Sequence, residues 1–395
     1  MVPTAVSQAL EVVGKAVFGI AIAFFFSRAL YDVQFISAGA IMGVTIGLGI
    51  CIPLLAWYKR KLDRGASIAS SAVNPETSDT FALPSRSKVL VFLLKVSIPI
   101  TIGASLMSII TVIDNSIVLG RLQNVLGYTE SESSALFALY ALGLTLYNLP
   151  PAIIVPIGVS VVPAIAAALA RGHNSEAGGI MQSSVKLVNL LAMPAGAGLM
   201  ALAAPIMIVL FGERDPLAAN VLIILGAASF LLCLQLVTTA ILQANGNERL
   251  ALFAIPVGGV VKIVLVYVLV GIPEIGILGS AISSFVCFAV ICALNISFIK
   301  ARVKDCPKFA GLFVKPLLCT GVMAAVAFFA YKLAYGVGVG IISEGRFAII
   351  AFLAAAIIIS LLVYIILIIV TRTITMDDMK LVPKGEKLAK IMRIR

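Results

Sequence analysis

Uninterrupted apolar runs of roughly twenty residues recur along almost the whole chain, and the charged residues gather between them. An α-helix rises ~1.5 Å per residue, so each run is long enough to cross the ~30 Å hydrocarbon core of a bilayer. The pattern predicts ten membrane helices, at 10–30, 36–57, 92–119, 135–168, 182–211, 217–243, 250–271, 276–299, 312–335 and 346–371. Their connections are short except for residues 58–94, where KRKLDR precedes the hydrophilic stretch SIASSAVNPETSDTFALPS. That Ser/Asn/Pro-rich composition predicts a flexible linker between two bundles.

Composition sharpens the class. Of 395 residues, 61% are hydrophobic and only 12% are charged, about half the charged share of a soluble globular domain. The expectation is an all-α polytopic protein of the cell membrane. Twenty-two of the 29 Lys and Arg residues fall on one set of alternating connections and five on the other, and the remaining two, Lys15 and Lys262, lie inside spans. The asymmetry predicts cytoplasmic N- and C-termini. The net charge of +11 comes from blocks flanking the apolar runs, which fits retention at the cytoplasmic face and argues against a nucleic-acid partner.

Enzymatic chemistry finds little material. Five of the six cysteines lie in apolar runs, the sixth, Cys306, lies in a basic loop, and no Cys/His cluster has metal-ligand spacing. They read as small core residues. The one histidine, His173, falls on the cytoplasmic side, and the outer loops are too short to hold a catalytic constellation. No enzyme and no metal are expected. The first ten residues carry no Lys or Arg, and the chain does not open with a secretory signal.

The spans contain a repeat. Lys15 opens GKAVFGIAIAFFF after its glycine, Lys262 opens KIVLVYVLVG, and each run is followed by a short outer loop, a small-residue helix start and a basic end. Ala40 to Lys59 and Ala281 to Lys300 are the same 19 residues long. Read as copies, they make the second lobe six helices long and leave the first lobe only its last two, with about four helices expected upstream of Met1. The expected layout is the end of an N-terminal lobe at 1–60, a linker at 61–91, a six-helix lobe at 92–300, two additional helices at 301–371 and a basic tail at 372–395. The tail either lies on the anionic inner leaflet or, as the simpler reading, is solvated.

Four ordered segments carry a resemblance: PTAVSQALEVVGKAVFG (3–19), SIPITIGASLMSIITVIDNSIVLGRL (97–122), GYTESESSALFALYALGLTLYNLPPAIIVPIGVSVVPAIAAALARG (127–172) and VVKIVLVYVLVGIPEIGILGSAISS (260–284). They resemble the stage V sporulation protein B and polysaccharide-export branch of the superfamily that also holds the lipid II flippases and the multidrug and toxin extruders (MATE). The resemblance implies a MATE-like flippase fold of fourteen helices, two six-helix lobes forming a V plus two C-terminal helices. This chain looks like helices five to fourteen of that plan, about ten of a probable fourteen. It also implies a function, export of a lipid-linked (undecaprenyl-diphosphate type) oligosaccharide or peptidoglycan precursor by alternating access, in sporulation or in vegetative wall growth. The alternatives are a multidrug/cation antiporter of the same fold, or a truncated chain without function on its own. In that last case the missing helices would come from a separate product.

Candidate site residues follow from charge at membrane depth, which costs about 2.5–3.5 kcal/mol on insertion scales and is functional when it faces a cavity. Lys15 and Lys262 both lie ~17 Å along their helices, near the midplane. Two ammonium groups there would suit the diphosphate of the substrate. The structural alternative pairs Lys15 with Glu11 one turn below, and Lys262 with a carbonyl or another acid. Ser7, Gln8, Glu11 and Lys15 form a polar stripe on one helix face, expected to look into the central cavity, with Glu11 a counter-ion in preference to a proton carrier. Asp114, counted from Lys95, is placed ~28 Å up its helix near the outer surface. It is a candidate ligand for a coupling ion, Na+ or H+, but the facing helix offers Lys262 and no acid, so a helix-end carboxylate is the favoured reading. No cofactor is expected. The lipid II flippases line their cavity with arginines, whereas span 135–168 contains none. Its prolines at 150, 151, 156 and 163 predict a break near Asn148, bordering either the pathway or a purely structural kink. Gly39, Gly43 and Gly47 predict close helix packing.

Overall fold

The computed structural model describes residues 2–28, 108–303, 309–338 and 346–371, with scattered positions between 35 and 49 and at 91 and 373. The predicted linker, the basic tail, Gly47 and most of the second span lie outside the described residues, as do the side chains of Gln8 and Glu11. The chain divides into two compact units, Met1–Val89 and Leu90–Arg395.

In the first unit α1 (Val2–Arg28) is the main described element. A Cβ on Gly43 would lie 2.5 Å from the backbone of Phe18 and Gly19, and one on Gly39 would collide with Phe26. These two glycines therefore bring their segment against α1 more closely than any side chain would allow.

The second unit is an α-helical bundle: α2 (108–124), α3 (Glu130–Tyr147), α4 (Leu149–Ala170), α5 (Asn174–Ala201), α6 (Ala203–Phe211), α7 (Pro216–Ala244), α8 (Glu248–Leu269), α9 (Leu278–Arg302), α10 (Phe309–Gly338) and α11 (Arg346–Val370). Among the described residues, seven segments are long and apolar enough to cross a membrane. Such helices turn large apolar side chains outward, as α11 does with Ile358, Leu362 and Ile366, spaced one turn apart. The central element is α7, which packs against α3, α4, α5, α6, α8 and α9. Gly196 on α5 meets Gly226 on α7 so closely that a Cβ on the former would lie 2.6 Å from the latter's carbonyl oxygen. Between α7 and α9, the Asn295 amide donates to Thr238 Oγ1 and Thr239 Oγ1, both at 3.1 Å.

Helix starts differ from the hydropathy reading wherever the first turn is polar. The predicted span 135–168 begins at Glu130, because Thr129 accepts from the Glu132 amide at 3.3 Å while Glu132 accepts from the Thr129 amide at 2.9 Å. The same span is two helices, α3 and α4, meeting at Asn148 ahead of Pro150 and Pro151. Span 182–211 likewise resolves into α5, whose polar opening Asn174-Ser175-Glu176 escapes a hydropathy window, and the short α6 after a break at Leu202.

Prolines inside spans leave the carbonyl four residues back without its helical donor. Among the described residues, three such carbonyls receive a side chain from another helix. Pro151 frees Tyr147, whose carbonyl accepts from Ser229 of α7 at 2.8 Å. Pro194 frees Leu190, which accepts from the Tyr364 hydroxyl of α11 at 2.8 Å. Pro316 frees Leu312, which accepts from the Asn189 amide of α5 at 3.2 Å. Buried backbone in lipid must be satisfied, and here the repair also joins helices. Asn189 and Leu190 are adjacent on α5, so one turn of that helix holds both α10 and α11.

Candidate functional site

Helices α2 and α8 run side by side in the same direction. Ile110 meets the bare backbone of Gly259, Asp114 meets Lys262, and Arg121 lies over the Tyr267 ring, 4.2 Å from its centroid, and against Gly271. A Cβ at Gly271 would collide with the guanidinium. The small residues on α8 thus create the room in which the α2 side chains lie.

The centre of this seam is an ion pair. Lys262 Nζ is 2.7 Å from Asp114 Oδ2, with side-chain exposures of 14% and 2%. The second carboxylate oxygen, Asp114 Oδ1, is buried and has no hydrogen-bond partner among the described residues. The Tyr140 side chain from α3 and the Cys287 thiol from α9 lie within the electrostatic reach of the pair. Tyr140 is fully buried, its hydroxyl 3.4 Å from Ser284 Oγ, which donates to the Ser280 carbonyl at 2.9 Å. Val118, Val266, Ile291 and Phe288 belong to the same buried apolar cluster as Tyr140 and Cys287. Two groups so placed depend on each other, because removing one leaves the other buried and uncompensated, at a cost of roughly 3–5 kcal/mol.

The pair places Asp114 and Lys262 at one depth, which the separate counts along their runs do not. Counting from Lys95 put Asp114 at the outer surface and Lys262 at the midplane, yet a 2.7 Å contact fixes them at one level. Asp114 lies ten residues before the end of α2 at 124, about 15 Å, and Lys262 seven before Leu269, about 10 Å. Asp114 is therefore an interior carboxylate and not a helix-end one, and Lys262 has found the acid that the structural alternative allowed. The sequence alone does not connect them, and it marks neither Tyr140 nor Arg121, one of the five basic residues on the sparser side, as a site residue. A carboxylate and an ammonium on two separate apolar runs were the available signal.

Asn148 is exposed, and its side-chain amide donates to the Leu144 carbonyl at 2.8 Å. Lys15 is half-buried on α1 in the first unit, whereas Lys262, Asp114 and Asn148 belong to the second. His173 sits at the exposed start of α5, its Nδ1 3.1 Å from Glu176, which also meets Arg171 at 3.1 Å. The cysteines at 233, 287, 292 and 319 are buried free thiols. Among the described residues no group of three or more His, Cys, Asp or Glu could hold a metal ion.

No family model matches the chain. It is 25% identical over 397 aligned residues to the uncharacterized membrane protein YabM of Bacillus subtilis (strain 168), covering 100% of this chain and 71% of that one. It is 24% identical over 272 residues to the lipid II flippase MurJ of the same organism, covering 67% of this chain and 48% of that protein. A solved structure of the lipid II flippase MurJ in an inward closed conformation superposes with a TM-score of 0.59 at 15% identity, over 92% of this chain and 66% of that one. The chain thus spans about half the length of the curated flippase it matches and just under two thirds of the solved one. Helices that cross the membrane repeatedly, together with this superposition, make the protein an all-α multi-pass membrane protein with the flippase fold.

Proposed function

We propose that this chain is a flippase-type exporter of a lipid-linked sugar carrying a diphosphate, related to the stage V sporulation protein B and polysaccharide-export branch, and that it works by alternating access. The observation that carries the reading is the Asp114–Lys262 pair, two charges kept at membrane depth where an apolar pair would pack at lower cost. Likeness to a lipid II flippase in sequence and in fold supports the same reading.

In this proposal Asp114 holds Lys262 while the site is empty, and the diphosphate draws the ammonium away. A phosphate oxygen is as strong an acceptor as a carboxylate and brings a second negative charge. On α1 of the first unit, Lys15 is proposed as a second ammonium for this class of substrate, with Glu11 as its counter-ion and Gln8 as a neutral polar contact; in the second unit Asn148 is proposed as a polar contact for the sugar. Asp114 then needs no sodium ion, because Lys262 already supplies its positive partner. An ammonium tethered this way does the work of a coupling cation, which leaves protons or the substrate gradient to drive transport.

The test is reconstitution of the full chain in liposomes with a fluorescent undecaprenyl-diphosphate sugar, and measurement of the rate at which the label becomes accessible to an external quencher. Lys262→Met and Lys15→Met are expected to lower the rate at least tenfold at equal incorporation. Unchanged rates in both variants, or no translocation by the unaltered chain, would overturn the proposal.

A further inference from the structure

At the ends of the spans remote from the Lys/Arg-rich connections, a cavity of about 520 Å3 opens between the α5–α6 corner, the start of α7 and the last turns of α10. Its wall is apolar, with Met200, Ile223 and Phe328 all substantially exposed along it. Its rim carries four charges, Glu213, Arg214 and Asp215 from the α6–α7 connection and Lys332 from α10. Tyr331 and Tyr335 also line it, their rings stacked at 25° with centroids 6.0 Å apart.

The rim charges are unequally used. Glu213 Oε1 accepts from the Asp215 amide at 2.9 Å, and Asp215 Oδ1 accepts from the Leu217 amide at 2.8 Å, capping α7. Each carboxylate thereby commits one oxygen to backbone, and among the described residues no hydrogen bond engages the other. Among the described residues neither Arg214 nor Lys332 has an ion-pair partner. Two cations and two half-used carboxylates around one apolar pocket match a ligand that carries both signs of charge and an apolar body.

We infer that the cavity binds an aminophospholipid: its phosphate between Arg214 and Lys332, its primary ammonium on the second oxygens of Glu213 and Asp215, and an acyl chain along Ile223 and Phe328. A purely anionic phospholipid leaves both carboxylates facing a phosphate without relief. A quaternary ammonium headgroup keeps the charge but has no N–H to donate to them. The site lies apart from the Asp114–Lys262 seam and does not depend on what the chain transports.

The full chain in detergent micelles, titrated separately with phosphatidylethanolamine, phosphatidylcholine, phosphatidylglycerol and soluble phosphoethanolamine, tests this by thermal unfolding. Phosphatidylethanolamine is expected to raise the midpoint by roughly 2–4 °C, as a ligand well above its dissociation constant does. The other two lipids should give less than half that shift, and phosphoethanolamine none. In the double variant R214Q/K332Q, altered at two exposed positions, the shift should disappear. In Glu213→Gln the preference for ethanolamine over choline should narrow, which decides the matter even where the double variant does not fold. Equal shifts from all three lipids, a full shift from phosphoethanolamine alone, or an undiminished shift in R214Q/K332Q would each overturn the inference.

Discussion

Lys262 and Asp114 neutralise each other across the α2/α8 seam at 2.7 Å, and the carboxylate is only 2% exposed. Neither charge has bulk water to fall back on, so the two are a single unit for stability. Asp114→Leu alone should destabilise the second unit by about 3–5 kcal/mol, since it strands the ammonium. Adding Lys262→Met should recover most of that loss, leaving a deficit of about 1 kcal/mol or less. Chemical denaturation of the four proteins in one detergent gives the cycle; an additive double variant would mean that the two side chains do not depend on each other.

Tyr364 repairs the Leu190 carbonyl that Pro194 deprives of its donor. Tyr364→Phe should cost about 1–3 kcal/mol, the penalty for a buried acceptor left without a partner. In a Pro194→Ala background the residue at 194 regains its N–H and the same change should cost appreciably less. Melting temperatures of the two pairs distinguish this from loss of ring packing, which would be the same in both backgrounds.

The contact of Gly196 with Gly226 leaves no space for a side chain. Gly196→Val must push α5 from α7, the element on which the bundle is assembled, at a cost of about 1–3 kcal/mol or more. Gly198, two residues on, faces open space, and Gly198→Ala serves as the control expected to be neutral. Comparable losses at both positions would show that added bulk anywhere on this stretch of α5, and not the α5–α7 approach, is what the fold resists.

Because Lys262 fills the place of a cation beside Asp114, transport by the unaltered chain should not change when Na+ in the assay is replaced by choline. A sodium-dependent rate that vanishes in Asp114→Asn would instead make Asp114 a metal-ion ligand.

Run length and hydropathy place the helices of the second unit to within a few residues wherever both ends are apolar, as for α7 and α11. The ends go astray where helices begin in polar turns. Thr129 and Glu132 form a readable capping box, whereas Asn174-Ser175-Glu176 carries no local sign that a membrane helix follows. The prolines are visible in the sequence, but their partners are not. Ser229, Tyr364 and Asn189 lie 82, 174 and 123 residues from the carbonyls they serve. The charges at 114 and 262 were each legible as expensive. Their pairing is hidden because depth counted separately along two runs carries no common reference, and a mismatch of a few turns in that count separates two side chains that touch.

The most direct measurement is liposome translocation of the diphosphate-linked sugar by the double variant Asp114→Leu/Lys262→Met, whose fold should survive. If the pair serves transport, this variant should be as well folded as the unaltered chain yet at least tenfold slower. If it translocates at the unaltered rate, the pair is a packing feature of the α2/α8 seam and the proposed role of Lys262 in substrate binding is wrong.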